Sequence, residues 1–258
     1  MSGTEMARRE PGWLRKKMVT EERYVPATVR RNLYLSSAGL IVVGAILFAV
    51  LTVQVLTKTG IETIDRSVQV AFVRMRTPFL TTVNDVLAVA FGPISMPIVV
   101  LVVTVTWIIF ATHAWRPLLL AGGMILGVAL IETITRIVQR PRPPIDLMLF
   151  GKDTTYSFPS GHVCGTADFF LITSYLVLSR APKAGRIVVA AVISVVGIGS
   201  QVLSRLYLGY HWLSDTLAAI CVSFVVVGIV VAVDTRRTVR IPGEKVTGEL
   251  SKVQTENT

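Results

Sequence analysis

Four stretches of the chain contain no Asp, Glu, Lys or Arg: residues 35–57, 86–115, 187–204 and 216–233. A helix needs roughly 20 mostly apolar residues to cross the hydrocarbon core of a bilayer. Together with the less pure runs between them, the pattern predicts six spanning helices, over residues 34–57, 94–115, 118–138, 160–179, 186–205 and 211–234. The first is too long for a signal-peptide core and lacks a small-residue cleavage site, so it reads as an uncleaved anchor. Residues 58–78 are mixed and charged and read as a surface connection, and residues 79–91 as a short interfacial helix with Asn84 and Asp85 on its wet face. Gly92-Pro93, Arg116-Pro117 and the run Arg140-Pro141-Arg142-Pro143-Pro144 supply the breaks, since proline cannot continue a helix. The expected architecture is all-α and polytopic. A basic arm occupies residues 1–33, a six-helix membrane domain residues 34–234, and a polar tail without fixed structure residues 235–258.

Composition supports this reading. Hydrophobic residues make up 52% of the chain and charged ones 16%, with a mean hydropathy of +0.62. A soluble domain carries about 25% charge, so this chain lacks the polar surface to cover itself in water. The net charge is +10. Its basic residues gather beside apolar runs: Arg8, Arg9, Arg15, Lys16, Lys17, Arg23, Arg30 and Arg31 in the arm, Arg116, then Arg180, Lys183 and Arg186, then Arg236, Arg237 and Arg240. With six spans these four segments share one face, which the positive-inside rule makes cytoplasmic. Topology and anionic headgroups account for the excess better than nucleic acid does. Cys164 and Cys221 have neither metal-cluster nor disulfide spacing and read as small packing residues.

The opposite face receives the chemistry. Ser204-Arg205 is followed after five residues by His211, and after three more by Asp215. Positions i and i+4 share a helix face, so Asp215 can reach one imidazole nitrogen of His211 and leave the other lone pair open. That is the arrangement of a histidine nucleophile with its orienting carboxylate. Arg205 can bind phosphate oxygens with its fork. The ordinary alternative is a helix-end histidine satisfied by an aspartate, beside a snorkelling arginine. Pro159-Ser160-Gly161-His162 opens the fourth span with free N–H groups that attract anions, a hydroxyl and a proton donor; simple capping accounts for the serine and proline but not the histidine. Arg140 and Arg142, held between prolines, can clamp a phosphate or merely end a helix among headgroups. Glu132 and Arg136 read as an internal ion pair, Asp168 as a buried acid, and His113 as structural at the other end.

These motifs resemble the type-2 phosphatidic acid phosphatase family, which is grouped with bacterial acid phosphatases and vanadium haloperoxidases. Its signature has three parts: Lys-x6-Arg-Pro, Pro-Ser-Gly-His and Ser-Arg-x5-His-x3-Asp. The second stands complete at Pro159–His162 and the third at Ser204–Asp215. In the first, Arg142-Pro143 matches but Thr135 stands where the family has lysine, leaving Arg140 or Lys152 to supply the cation. The resemblance implies that His211 attacks phosphorus, oriented by Asp215, and that His162 protonates the leaving oxygen. Arg142, Arg205, Ser160 and the Gly161 N–H, with Arg140 beside them, would hold the phosphate oxygens. It implies no metal and no other cofactor.

The expected function is a metal-independent phosphatase of the plasma membrane, with both termini cytoplasmic and the site extracytoplasmic. Its substrate would be a lipid in the bilayer: phosphatidic acid, phosphatidylglycerol phosphate or a polyprenyl diphosphate. Transfer to another lipid through the same phosphohistidine is an alternative. A non-enzymatic lipid-binding or transport protein is another. A transporter would line the bilayer midplane with polar groups, and the spans offer little beyond Glu132 and Asp168 near their outer ends.

Overall fold

The computed structural model describes residues 17–180, 182–246 and 251–253. A strand, β1 (Thr20–Tyr24), leads into α1 (Ala27–Thr57), α2 (Glu62–Arg74), α3 (Pro78–Ala90), α4 (Ser95–Phe110) and α5 (Trp115–Val138). After a 3-10 turn at Ile145–Leu147 come α6 (Gly161–Leu178), α7 (Ala184–Tyr207) and α8 (Leu213–Thr238), then strands β2 (Val239–Arg240) and β3 (Ser251–Val253). Helices α1, α5, α6, α7 and α8 are each long and apolar enough to cross a membrane. Helices α3 and α4 meet that test as a pair, bent by 52° at the Gly92-Pro93 break.

The strands decide the count. β1 precedes α1, β2 follows α8, and the two pair in parallel with Arg23 opposite Val239. Both ends of the described chain therefore lie at one end of the bundle. An even number of crossings is required, and the bent pair supplies the sixth. Around this sheet Glu22 pairs with Arg240 at 2.7 Å and Glu21 with Arg180 at 2.7 Å.

The bundle is built around α8. It buries sixteen of its 26 residues, whereas α1 buries three of 31. On α1, Leu35, Val42, Ile46 and Val50 face outward, the surface that acyl chains cover. Its inward face is small: Ser37 and Gly44 are buried there, and the Ser37 hydroxyl donates to the Gly228 carbonyl at 2.8 Å. A Cβ on Gly228 would lie 2.8 Å from the Ser37 carbonyl oxygen, and one on Gly44 would lie 2.7 Å from that of Cys221. Between apolar helices in lipid, such close backbone approach supplies the packing that hydrophobic exclusion cannot.

Five features depart from the sequence pattern, the first being that α1 begins at Ala27, seven residues before the expected start at Tyr34. Residues 58–78 hold the helix α2, with Asp65 and Gln69 buried. Helix α3 turns Asn84 inward rather than to water: Asn84 is buried, and its carbonyl accepts from the Ser204 hydroxyl at 3.0 Å. Helix α4 stops at Phe110, five residues short of the expected Trp115, where the Lys17 ammonium accompanies the last carbonyls, including that of Ile108 at 2.9 Å. In the tail, residues 239–240 and 251–253 are strands on either side of β1.

Gly228→Leu should force α1 off α8, because the obstruction is backbone and cannot rotate away. A loss of about 1–3 kcal/mol, read as a lowered Tm in detergent, is expected. An unchanged Tm would mean that the two helices do not pack here.

Candidate active site

Helix α5 ends at Gln139 in the left-handed conformation, φ 51°, and the proline-rich run that follows turns back across the bundle. Ser157 ties that run down: its N–H donates to the Arg140 carbonyl at 2.9 Å and its hydroxyl to the Pro141 carbonyl at 3.1 Å. The Trp212 indole donates to the same Pro141 carbonyl at 3.1 Å. On the other side, Gly209 has φ 82°, and a Cβ there would lie 2.2 Å from the Leu147 carbonyl oxygen. No other residue fits that turn. Arg76 clamps it by donating to the carbonyls of Leu147 at 2.6 Å and Tyr207 at 2.9 Å.

His211 lies at the centre of these loops and is 3% exposed. Its Nδ1 is 2.9 Å from the Ser157 carbonyl oxygen, and its Nε2 is 3.2 Å from Arg142 Nη1. A carbonyl only accepts and a guanidinium only donates. The proton is therefore on Nδ1 and the lone pair on Nε2. Burial, with the Arg142 and Arg205 guanidiniums nearby, pushes the imidazole pKa well below its usual 6.5, so the ring is neutral at physiological pH.

Asp215 is close but not where the i, i+4 spacing puts it. His211 precedes the helix, whose cap is Trp212. The Asp215 Oδ2 accepts from the Trp212 N–H at 2.8 Å and stands 3.6 Å from His211 Nδ1. The direct orienter of the ring is thus the Ser157 carbonyl, with Asp215 behind it.

The two arginines of the Arg-Pro run diverge. Arg142 turns toward His211 and also meets Asp153 and Thr155, each at 3.0 Å. Although burial opposes its charge, Asp153 is held ionised by the Thr155 N–H and hydroxyl and by Arg142. Arg140 turns the other way. Its Nη1 donates to Asp215 at 2.5 Å and to the Ser214 hydroxyl at 2.6 Å, and its Nη2 to Asp65 at 2.8 Å. A guanidinium committed to two carboxylates has no fork left for phosphate, which corrects the expectation for Arg140.

Arg205 is buried at the end of α7 with its guanidinium 5.7 Å from the Tyr210 ring centroid. Among the described residues, Arg205 Nε and Arg142 Nε are buried donors without an acceptor. His162, half-buried in the first turn of α6, lies within electrostatic reach of Arg205, His211 and Arg142. Ser160 is wholly buried, and its oxygen faces the Val163 N–H at 3.5 Å as a helix cap, while Gly161 is exposed beside it. Lys152 is exposed on the loop, and Arg136 pairs with Glu132 at 3.2 Å on the outer surface. Arg136, committed to Glu132, does not take the place of the lysine absent at Thr135. Asp168 is buried beside Cys164 at 3.5 Å, and His113 meets Glu21 at the opposite end.

The structure therefore brings together His211, His162, Arg142, Arg205 and Asp215, with Arg140 bonded to Asp215 beneath them. Sequence reasoning missed Ser157, Asp153 and Asp65. Asp153 is part of an Asp-x-Thr turn that the sequence could have flagged. Ser157 acts through its backbone, and Asp65 comes from a helix with no motif.

A cleft of about 330 Å³ opens beside Arg140 and Arg142, between apolar Val55, Leu56 and Val138 and polar Lys58, Glu62 and Trp212.

Residues 116–238 match the model of the PAP2 superfamily. Over 181 residues the chain is 25% identical to phosphatidylglycerophosphatase B of Bacillus subtilis (strain 168), covering 68% of this chain and 85% of that protein. Its fold is similar to the crystal structure of a transmembrane PAP2-type phosphatidylglycerolphosphate phosphatase from Bacillus subtilis. That match has a TM-score of 0.67 and 19% identity, over 75% of this chain and 96% of the other. Residues 116–238, the segment that carries both complete motifs, belong to the PAP2 superfamily.

Proposed function

We propose that the protein is a lipid phosphate phosphatase working through a phosphohistidine on His211. One observation carries the reading. A neutral imidazole presents its Nε2 lone pair beside two buried guanidiniums, Arg142 and Arg205, each with a donor unsatisfied. An anion beside Nε2 is a group to which both guanidiniums can donate. The Nε2 atom attacks phosphorus, forming the P–N bond as the P–O bond to the lipid breaks. His162 gives its proton to the departing alkoxide. The ring remains bonded through Nδ1–H to the Ser157 carbonyl, which holds its plane and favours the cationic phosphoimidazole. Arg142, Arg205 and the exposed Gly161 N–H take the phosphoryl oxygens, and Ser160 supports them by capping the helix that presents that N–H. His162 then removes a proton from water as the water oxygen bonds to phosphorus, the P–N bond breaks with its electron pair returning to Nε2, and inorganic phosphate leaves. No step calls for a metal, because guanidiniums already meet the developing charge.

The bilayer setting favours a lipid. The apolar wall of the cleft suits an acyl or prenyl chain, and Lys58 and Arg142 suit the headgroup. Among the candidate lipids, the name of the Bacillus subtilis relative favours phosphatidylglycerol phosphate over phosphatidic acid or a polyprenyl diphosphate. By the positive-inside rule, the arm and tail are cytoplasmic and the site faces out of the cell at the plasma membrane.

His211→Ala should lower phosphate release from phosphatidylglycerol phosphate by at least about a thousandfold. His162→Ala should slow turnover by about 10²–10⁴-fold and leave labelled phosphate on the protein as an acid-labile, base-stable adduct. Phosphatase activity in the His211→Ala protein would overturn the assignment.

The depressed pKa of His211 gives a signed prediction. The nucleophile keeps its lone pair down to and below pH 6.5, so the acid limb of kcat/KM that reports its protonation should lie below that value. The unfolded chain binds a proton on this ring near pH 6.5 and the folded one does not. Stability from His211 is therefore present above pH 6.5 and is lost as pH falls below it. The Tm should drop between pH 6.5 and 5, and the drop should shrink in His211→Ala.

A further inference from the structure

We propose that Asp65, on α2, is a positioning residue for the His211 site, acting through Arg140 and Asp215; the inference rests on the phosphatase reading above. Asp65 lies outside the three motifs and outside residues 116–238, yet it is buried, at 3% exposure. All of its described bonds run to the base of the active site. Oδ1 accepts from the Ser214 N–H at 3.0 Å. Oδ2 accepts from the Ser214 hydroxyl and from Arg140 Nη2 at 2.8 Å. Ser214 is in the first turn of α8, where N–H groups have no partner within the helix. Asp65 caps α8 from a different helix, while Asp215 caps the Trp212 N–H just before it.

The consequence is a relay of fixed geometry. Arg140 is gripped at Nη2 by Asp65, with Glu62 one turn away at 3.8 Å, and its face stacks on Trp212 with 5.6 Å to the centroid. Its remaining nitrogen, Nη1, is thereby aimed at Asp215 Oδ1, and Asp215 Oδ2 is left facing the Trp212 N–H and the His211 ring. Without Asp65, Arg140 Nη2 keeps only the more distant Glu62, and the guanidinium, left to Asp215, the Ser214 hydroxyl and the ring stack, can shift toward the phosphate side, drawing Asp215 with it. Misplacement of about 1 Å near the reacting atoms can cost a hundredfold in rate.

Charge points the same way. One guanidinium set between Asp65 and Asp215 leaves net negative charge under His211. From other directions the ring faces Arg142 on the proline-rich loop, Arg205 on α7, His162 on α6 and Asp153 on the 150–156 loop. Three of these are basic. The carboxylate excess beneath is what favours positive charge on the ring, as forms when it bonds to phosphorus.

The test uses the full-length protein in detergent with phosphatidylglycerol phosphate, comparing Asp65→Asn, Arg140→Gln, the double variant and His211→Ala. Asp65→Asn should lower kcat about tenfold to a hundredfold with KM within twofold, because Asp65 touches no substrate. Its acid limb should move to lower pH, which a merely loosened fold would not produce. Asp65→Glu, which keeps the charge, should recover part of the rate. The double variant should be no slower than Arg140→Gln alone, since the two residues act as one unit. Wild-type kcat in Asp65→Asn, a loss confined to KM, or a double-variant loss equal to the product of the single losses would each overturn the proposal. If Asp65→Asn does not fold, Ser214→Ala removes the hydroxyl shared by Asp65 and Arg140. A several-fold fall in kcat at constant KM then supports the relay, and an unchanged kcat overturns it. An inactive His211→Ala beside a fully active Asp65→Asn removes this inference and leaves the phosphatase reading intact; an active His211→Ala removes that reading itself.

Discussion

A single guanidinium, buried between two carboxylates at the end of a helical bundle, holds the candidate site in place. Arg140 joins Asp65 on α2 to Asp215 on α8, at 2.8 and 2.5 Å, and is itself anchored where α5 ends. Three segments distant in sequence meet at one charge. Such a group is costly to bury and costlier to leave unpaired: breaking one side of a buried ion pair typically costs about 3–5 kcal/mol. The arrangement therefore contributes less to net stability than to uniqueness. In the observed registration of α2 against α5 and α8 all three side chains are paired, and the loops bearing His211 and Arg142 lie directly beside them.

The state of His211 follows from those loops. A histidine in water exchanges tautomers freely, and its nucleophilic lone pair is on one nitrogen or the other. Here the choice is forced from both sides, by a carbonyl that can only accept and a guanidinium that can only donate. Burial and two nearby arginines then keep the ring neutral. The same cations that suppress protonation are those to which the proposed reading assigns the phosphoryl oxygens, so under that reading one electrostatic feature serves both ends.

Much of this was legible in the sequence, and what was not has physical causes. Apolar runs longer than a bilayer is thick gave the spans to within a few residues. Helices α1 and α4 are the exceptions: α1 begins at Ala27, seven residues before the expected start, and α4 ends at Phe110, where Lys17 from outside the span meets its last carbonyls. The motifs placed His211, His162, Arg142, Arg205 and Asp215 at one end, because a polar residue beside a membrane span has few places to go. Helix α2 was hidden because its buried residues, Asp65 and Gln69, are polar, and hydrophobic periodicity cannot register a face that binds by charge. The spacing of His211 and Asp215 suggested a shared helix face, but the helix starts after His211, and a backbone carbonyl from Ser157 takes the expected role. Backbone groups carry no sequence signal. The strands of the tail were equally hidden, since each pairs with a segment more than two hundred residues distant.

The departure at Thr135 can now be placed. Arg140 was the natural substitute for the family's lysine, being basic, rigidly held and two residues before Arg142. Its partners argue against that role. A phosphate reaching Arg140 would have to displace Asp65 and Asp215 from bonds under 3 Å, and would leave two buried carboxylates with no cation between them. Arg142 differs: Nη2 faces the Asp153 carboxylate from a loop on which Asp153 is only half-buried, and its Nε is unsatisfied. A carboxylate on a surface loop can be exchanged for a phosphate at little cost in burial, and one sealed beneath three helices cannot. The two arginines of one short run thus differ in how deeply their acidic partners are buried, and the proposed reading gives Arg140 the floor of the site and Arg142 the substrate.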